Sequence, residues 1–353
     1  MEIQRRLFSW IPGLIGTGAL IWLCACESRQ IERSRMIVVD QGAGVVSLYN
    51  AQHGEVLGKV KVGYNPHEIE LSREGERAYV TNFGIEDYDH TIGVPGVSIS
   101  VIDVPAMREI KRLYTNRMPD GTPDTSSTGP NKAPHGVKLR PPAERELFVN
   151  VEIGDSMLVY DPASGRIARS FPLPAGAHNF VFSPNGDTLW LLAGVNGIFR
   201  IDPDSGKQTG HFQTNSLARG IIYHGDAGRL IASCEDEIYY LRLSDLSVEK
   251  HFSNMGVKQI IYSCLSPDGK LLFAPCPYDS QVIVLDVETG DILHRLTTGK
   301  APICVQIAPS GKEAFVANAL DDHLSVIDLR TFGIRRFGAS WKPNGFAFLE
   351  PEG

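Results

Sequence analysis

A unit of about 42 residues recurs along this chain of 353, and a repeat of that length restricts the fold more than any other feature. Each unit has a short strand that ends in a four-residue turn: Ser72-Arg73-Glu74-Gly75, Ser183-Pro184-Asn185-Gly186, Ser266-Pro267-Asp268-Gly269 and Ala308-Pro309-Ser310-Gly311. The closing glycine supplies the positive φ that such a turn requires. Strands rich in β-branched and aromatic residues follow, such as Ala78-Tyr79-Val80 and Ala314-Phe315-Val316. A third strand ends at Asp103, Asp161, Asp202, Asp286 and Asp328, with Asn50 and Arg242 in the corresponding places, which makes seven units. The pattern opens at Met36 with a second strand and finishes with a lone first strand, Trp341–Phe348. That last strand is expected to complete the sheet begun by residues 36–61, closing a ring and removing an open edge. The 35 glycines and 22 prolines suit a chain with this many tight turns.

The segments Ala78-Tyr79-Val80-Thr81-Asn82 and Ala314-Phe315-Val316-Ala317-Asn318 resemble the YVTN repeat. The resemblance covers residues 36–353 and implies an all-β fold, a seven-bladed β-propeller of four-stranded blades. Its architecture would be similar to the propellers of nitrous-oxide reductase and haem d1 proteins. Such propellers host catalysis, cofactor binding and protein recognition alike, so the resemblance says far more about fold than about function.

The first residues read differently. A basic head (Arg5, Arg6) precedes the apolar stretch Leu7–Leu23 and then Leu23-Cys24-Ala25-Cys26, the layout of a secretory signal. The last four residues resemble a lipobox, which implies that residues 1–25 are a lipoprotein signal peptide and that Cys26 carries the acyl chains. Residues 26–35, charged and without apolar periodicity, then form a tether. The expected location is the bacterial cell envelope, facing the periplasm, with the membrane as a partner through the lipid. Glu27 after the cysteine favours the outer membrane, by resemblance only. An uncleaved spanning segment and a cleaved signal without lipid remain alternatives. The net charge of −7 becomes −8 without residues 1–25, because Arg5 and Arg6 leave with Glu2. An acidic body does not attract phosphate backbones, which argues against nucleic acid.

In a repeat protein the departures from the repeat point to function. Five residues before each turn stand His67, His135, His178, Arg219, Ile261, Ile303 and, in the closing strand, Asn344. The gaps between them are 68, 43, 41, 42, 42 and 41, so only one unit is long. The position opens each inner strand, so three consecutive blades are expected to present a histidine at one level of the channel mouth, the imidazoles converging around one point with Arg219 close by. Imidazoles in that arrangement suit a divalent transition metal, and Arg219 or Asn344 suit a bound ligand. The plainer reading is that each histidine bonds a neighbouring backbone, as in Pro134-His135-Gly136.

The long unit carries two insertions. From Asn82 to Asp103 is 21 residues, against 8 to 11 elsewhere; from Asp103 to His135 is 32, against 16 to 19. Both are expected to overhang the histidine face, since alternating strand directions bring both loops out there. The first holds Glu86, Asp87, Asp89 and His90, of which the last three could add ligands from a lid; the second runs through Asn116–Lys132. Asn82 and Glu152, near the ends of second strands, are expected to orient the ring nitrogens. Cys234, Cys264, Cys276 and Cys304 lack Cys-x-x-Cys spacing and read as buried thiols, although an exported protein could pair them. The sequence holds no phosphate-binding glycine loop, nucleophile elbow or His-Glu-x-x-His helix. The expected function is binding, of a small ligand, metal or cofactor at the channel mouth, or of a partner protein. The alternative is a metal-dependent lyase or hydrolase using the three histidines, with Arg219 on a carboxylate or a developing negative charge.

Overall fold

The computed structural model describes residues 34–86, 91–338 and 341–349. Seven four-stranded antiparallel sheets make up the fold, and among the described residues there is no α-helix. Blade one takes its inner strand from the end of the chain: Pro343–Leu349 pairs with Arg35–Asp40, followed by Val45–Asn50 and Val56–Lys61. Blade two runs Pro66–Leu71, Arg77–Asn82, Ser98–Asp103 and Arg108–Tyr114; blade three runs Lys132–Leu139, Leu147–Ile153, Ser156–Asp161 and Arg166–Pro172. Blades four to seven begin at Phe180–Phe182, Gly220–His224, Cys264–Leu265 and Pro302–Ile307. The all-β seven-bladed propeller expected from the repeats is the observed fold, and the first described strand starts at Arg35. No helix among the described residues is long and apolar enough to cross a membrane.

The repeated polar residues hold turns. Asp161 Oδ1 accepts from the backbone N–H of Ala163 and Ser164 at 2.8 and 3.2 Å, and Asp286 and Asp328 close the equivalent turns the same way. Asn50 does so in blade one. Ser72 and Ser266 hydroxyls accept from the N–H five residues on, at 3.0 and 2.9 Å, and so pin the first hairpin. These are local bonds, which explains why the pattern could be read from short segments.

The core lies between blades. Met36, Tyr49 and Phe346 of blade one pack with Phe315, Phe337 and Leu324 of blade seven, so the closing strand is buried where the first and last described strands meet. Comparable clusters join blades two and three and blades five and six. Cys234 and Cys276 are buried, Cys264 and Cys304 are half-buried, and all four are free thiols.

Candidate functional site

The histidine register survives in three dimensions. His67 and His135 lie in the inner strands of blades two and three. His178, Arg219 and Ile261 stand just before the strands of blades four to six, a small departure from the expected strand position. Each still pairs with its second strand, through His178 N–H to Leu192 O at 2.9 Å, Arg219 to Ser233 at 2.9 Å and Ile261 to Pro275 at 3.1 Å. All three imidazoles meet at the channel mouth. They form a row instead of closing on one point: ring centres are 4.3 Å apart from His67 to His135 and 3.9 Å from His135 to His178. His135 is the middle ring, and Phe83 braces it edge-on at 5.3 Å.

Two carboxylates flank the row. Glu152 Oε1 lies 2.6 Å from His178 Nδ1 and 3.8 Å from His135 Nε2, so Glu152 orients a ring as expected. Glu68 Oε1 stands 3.9 Å from His135 Nδ1 and accepts from Asn179 Nδ2 at 3.0 Å. Two groups therefore have ligand atoms within 4.8 Å of one another: His67, Glu68 and His135, and His135, Glu152 and His178. The Nδ1 atoms of His67 and His135 are buried and have no hydrogen-bond partner. Burial, then the neighbouring His178, pushes His67 down to about 3. Burial and the other two rings hold His135 well below the usual histidine range. Both are therefore neutral imidazoles, the form that binds metals. Burial pushes Glu68 up, and the Lys138 ammonium opposes that only in part.

Above the row opens a cavity of about 250 Å³. Its walls are largely apolar, with Ile261, Ile303 and Leu320 opposite Phe83 and Ile85. Arg219, Lys342 and Glu86 bring charge to it, and Asn344 reaches it with Nδ2 donating to Gln41 Oε1 at 3.1 Å. A second cavity of about 240 Å³ lies along the channel, reached by Glu68, Lys138, Asn179, Cys264 and Cys304. Tyr262 and Asn344 line both. The Tyr262 hydroxyl is 3.1 Å from His178 Nε2.

Other expectations meet different outcomes. Asn82 does not orient a ring: its Oδ1 accepts from Gly63 N–H and its Nδ2 donates to Ser98 and Ser100. Of the first insertion, Ile85 and Glu86 line the cavity; Asp87, Asp89 and His90 lie outside the described residues, as does Cys26. The second insertion lines neither cavity and instead forms a small hairpin, Asn116–Arg117 against Pro123–Asp124. Glu68 and Tyr262 were not singled out in the sequence. Each stands one residue after a register position, as does Asn179, so reading the next row down the channel would have found all three.

No protein-family model and no curated protein sequence matches the chain. Solved structures do. A provisionally named 6-phosphogluconolactonase from Bacteroides uniformis superposes with a TM-score of 0.68 at 17% identity, over 90% of this chain and 99% of that one. Hydrazine synthase of Kuenenia stuttgartiensis gives 0.64 at 19%, over 86% and 94%. The dihydro-heme d1 dehydrogenase NirN gives 0.62 at 15%, over 91% and 76%. At these identities the likeness is one of fold.

Proposed function

We propose that this propeller is a binding protein that holds a divalent transition metal at the histidine row and a small ligand above it. The observation that carries the reading is the row itself: imidazoles from three blades, two carboxylates, and two buried nitrogens with no hydrogen-bond partner, all beneath a cavity. Buried polar atoms without partners are costly, and a bound cation would satisfy them. The cavity suits a ligand with an apolar body, set against Ile261, Ile303 and Phe83, and an anionic group within reach of Arg219 or Lys342. A solved structure of this fold, that of the dihydro-heme d1 dehydrogenase NirN, is a complex with DHE.

Metal content of protein purified without added metal tests the reading. Near-stoichiometric divalent transition metal is expected, falling several-fold in His135→Ala while circular dichroism stays unchanged. A wild-type protein that carries none, and takes up none from added Zn(II), would overturn it. The lyase or hydrolase alternative would use the same ion; the Tyr262 hydroxyl beside His178 Nε2 is the observation in its favour, as a hydroxyl placed to exchange a proton.

We also propose that the protein is exported and anchored through Cys26. Support comes from the order of Arg5 and Arg6, the apolar stretch and the cysteine. The strand that follows begins at Arg35, which pairs with Leu349 at the end of the sheet away from Asn344 and the site. An anchor there would turn the cavity away from the membrane. Cys26→Ser should abolish labelling of the protein by a fatty-acid probe in cells, and equal labelling of the variant would sink the anchor.

A further inference from the structure

We infer that the row holds two divalent ions, not one, and that the His135 ring is shared between them, one ion on each nitrogen. The inference rests on the metal-binding reading above and adds the number of ions and how they are joined.

His135 is 1% exposed, and each of its nitrogens faces a different carboxylate: Nδ1 faces Glu68 Oε1 at 3.9 Å and Nε2 faces Glu152 Oε1 at 3.8 Å. Neither distance is a hydrogen bond, which would be about 2.7–3.2 Å. A neutral imidazole has one N–H and one lone pair. Nδ1 is buried with no hydrogen-bond partner, and Nε2 faces a carboxylate oxygen that is already bonded to His178 Nδ1 at 2.6 Å. A buried nitrogen left without a partner beside a carboxylate is unfavourable unless something positive lies between them. A cation in the Nδ1 gap satisfies that nitrogen, and one in the Nε2 gap would take the place of the hydrogen now held between His178 and Glu152.

The spacing fits. Ligand bonds of about 2.0–2.2 Å at a tetrahedral angle put two ligand atoms roughly 3.4 Å apart. Both His135 gaps are about half an ångström wider, and the 2.6 Å contact of His178 Nδ1 with Glu152 Oε1 must open by roughly 0.8 Å, which side-chain rotations can supply. Each half is also complete by itself, since the two groups are His67 with Glu68 and His135, and Glu152 with His178 and His135. A set of two histidines and one carboxylate leaves positions open for water or ligand. When the second ion binds, the ring N–H gives its proton to solvent and that nitrogen's lone pair forms the new bond to the metal. Two dications, one imidazolate and two carboxylates sum to one positive charge, which matches an anionic group in the cavity above.

The test titrates metal-free, full-length chain with Cu(II), removes loose ions by desalting, and reads copper per chain by mass spectrometry and spin by electron paramagnetic resonance. Uptake is expected to end at two coppers. The signal per copper should fall well below that of an isolated ion as the second binds, because an imidazolate couples the two spins. His67→Ala should hold one copper with a full, isolated signal, and His135→Ala should show no coupling at any loading. A wild-type chain that stops at one copper overturns the shared ring and leaves the metal-binding reading standing. Two coppers with full, uncoupled intensity also overturn it. A chain that retains no metal overturns the proposed function and this inference together.

Discussion

Asn82 and Glu152 both stand near the ends of second strands, and both were expected beside the histidines. Only Glu152 is there, and the reason lies in the repeat. Asn82 has a counterpart in Asn318, whose Nδ2 donates to Ser325 Oγ at 3.0 Å as that of Asn82 does to Ser100 at 3.1 Å. Each sits over a glycine that leaves room for it: a Cβ on Gly63 would come within 2.4 Å of Asn82, and one on Gly299 within 2.6 Å of Asn318. Asn82 therefore clamps the connection between blades one and two through Gly63 N–H, and the shared position belongs to the scaffold. Asn82 is 2% exposed, so Asn82→Ala leaves the half-buried Gly63 N–H and two hydroxyls without this partner. We expect a loss of about 1–3 kcal/mol in urea unfolding, with metal uptake per folded chain unchanged. The opposite result, lost metal at wild-type stability, would return Asn82 to the site.

At the scale of elements, the histidine level was legible because it follows from register alone, and register is set by local turns such as those pinned by Ser72 and Ser266. The shape of the site was not. Whether three rings surround a point or stand in a row depends on side-chain rotation, and Glu68 reaches His135 from the neighbouring blade. The insertions were visible as extra length, but their direction was not, since it depends on packing. Residues 116–131 are tied down by Asn116, which donates to Asn131 O at 2.7 Å and accepts from Asn131 N–H at 3.0 Å. Arg117 donates to Gly121 O at 3.1 Å within the hairpin, and much of the hairpin is exposed. Replacing residues 118–128 with a short glycine-serine link, and keeping Asn116 and Asn131, should leave metal content and melting temperature close to wild type. Loss of metal in that variant would show that the second insertion does serve the site.

For the whole molecule, stability depends on where the ring is joined. A propeller closed by its last strand replaces the open edge of blade one with a paired one. Here the join is antiparallel, Arg35 to Leu349 through Asp40 to Pro343, and it brings Phe346 to 1% exposure and Leu349 to 4%. Phe346 also packs into the cluster with Phe315 of blade seven, so the last strand binds two blades at once. Burying two such side chains contributes roughly 1.5–3 kcal/mol each. That is a large part of the 5–15 kcal/mol by which a typical domain is stable. Removing the strand would also uncover the apolar faces of Met36 and Val38, both fully buried. Deleting residues 341–353 should therefore abolish cooperative melting and drive aggregation or rapid proteolysis. A loop deletion of similar length at 118–128 provides the control. If the truncated protein melts cooperatively at the wild-type temperature, the ring does not depend on its join, and the chain would have to be held by its individual blades.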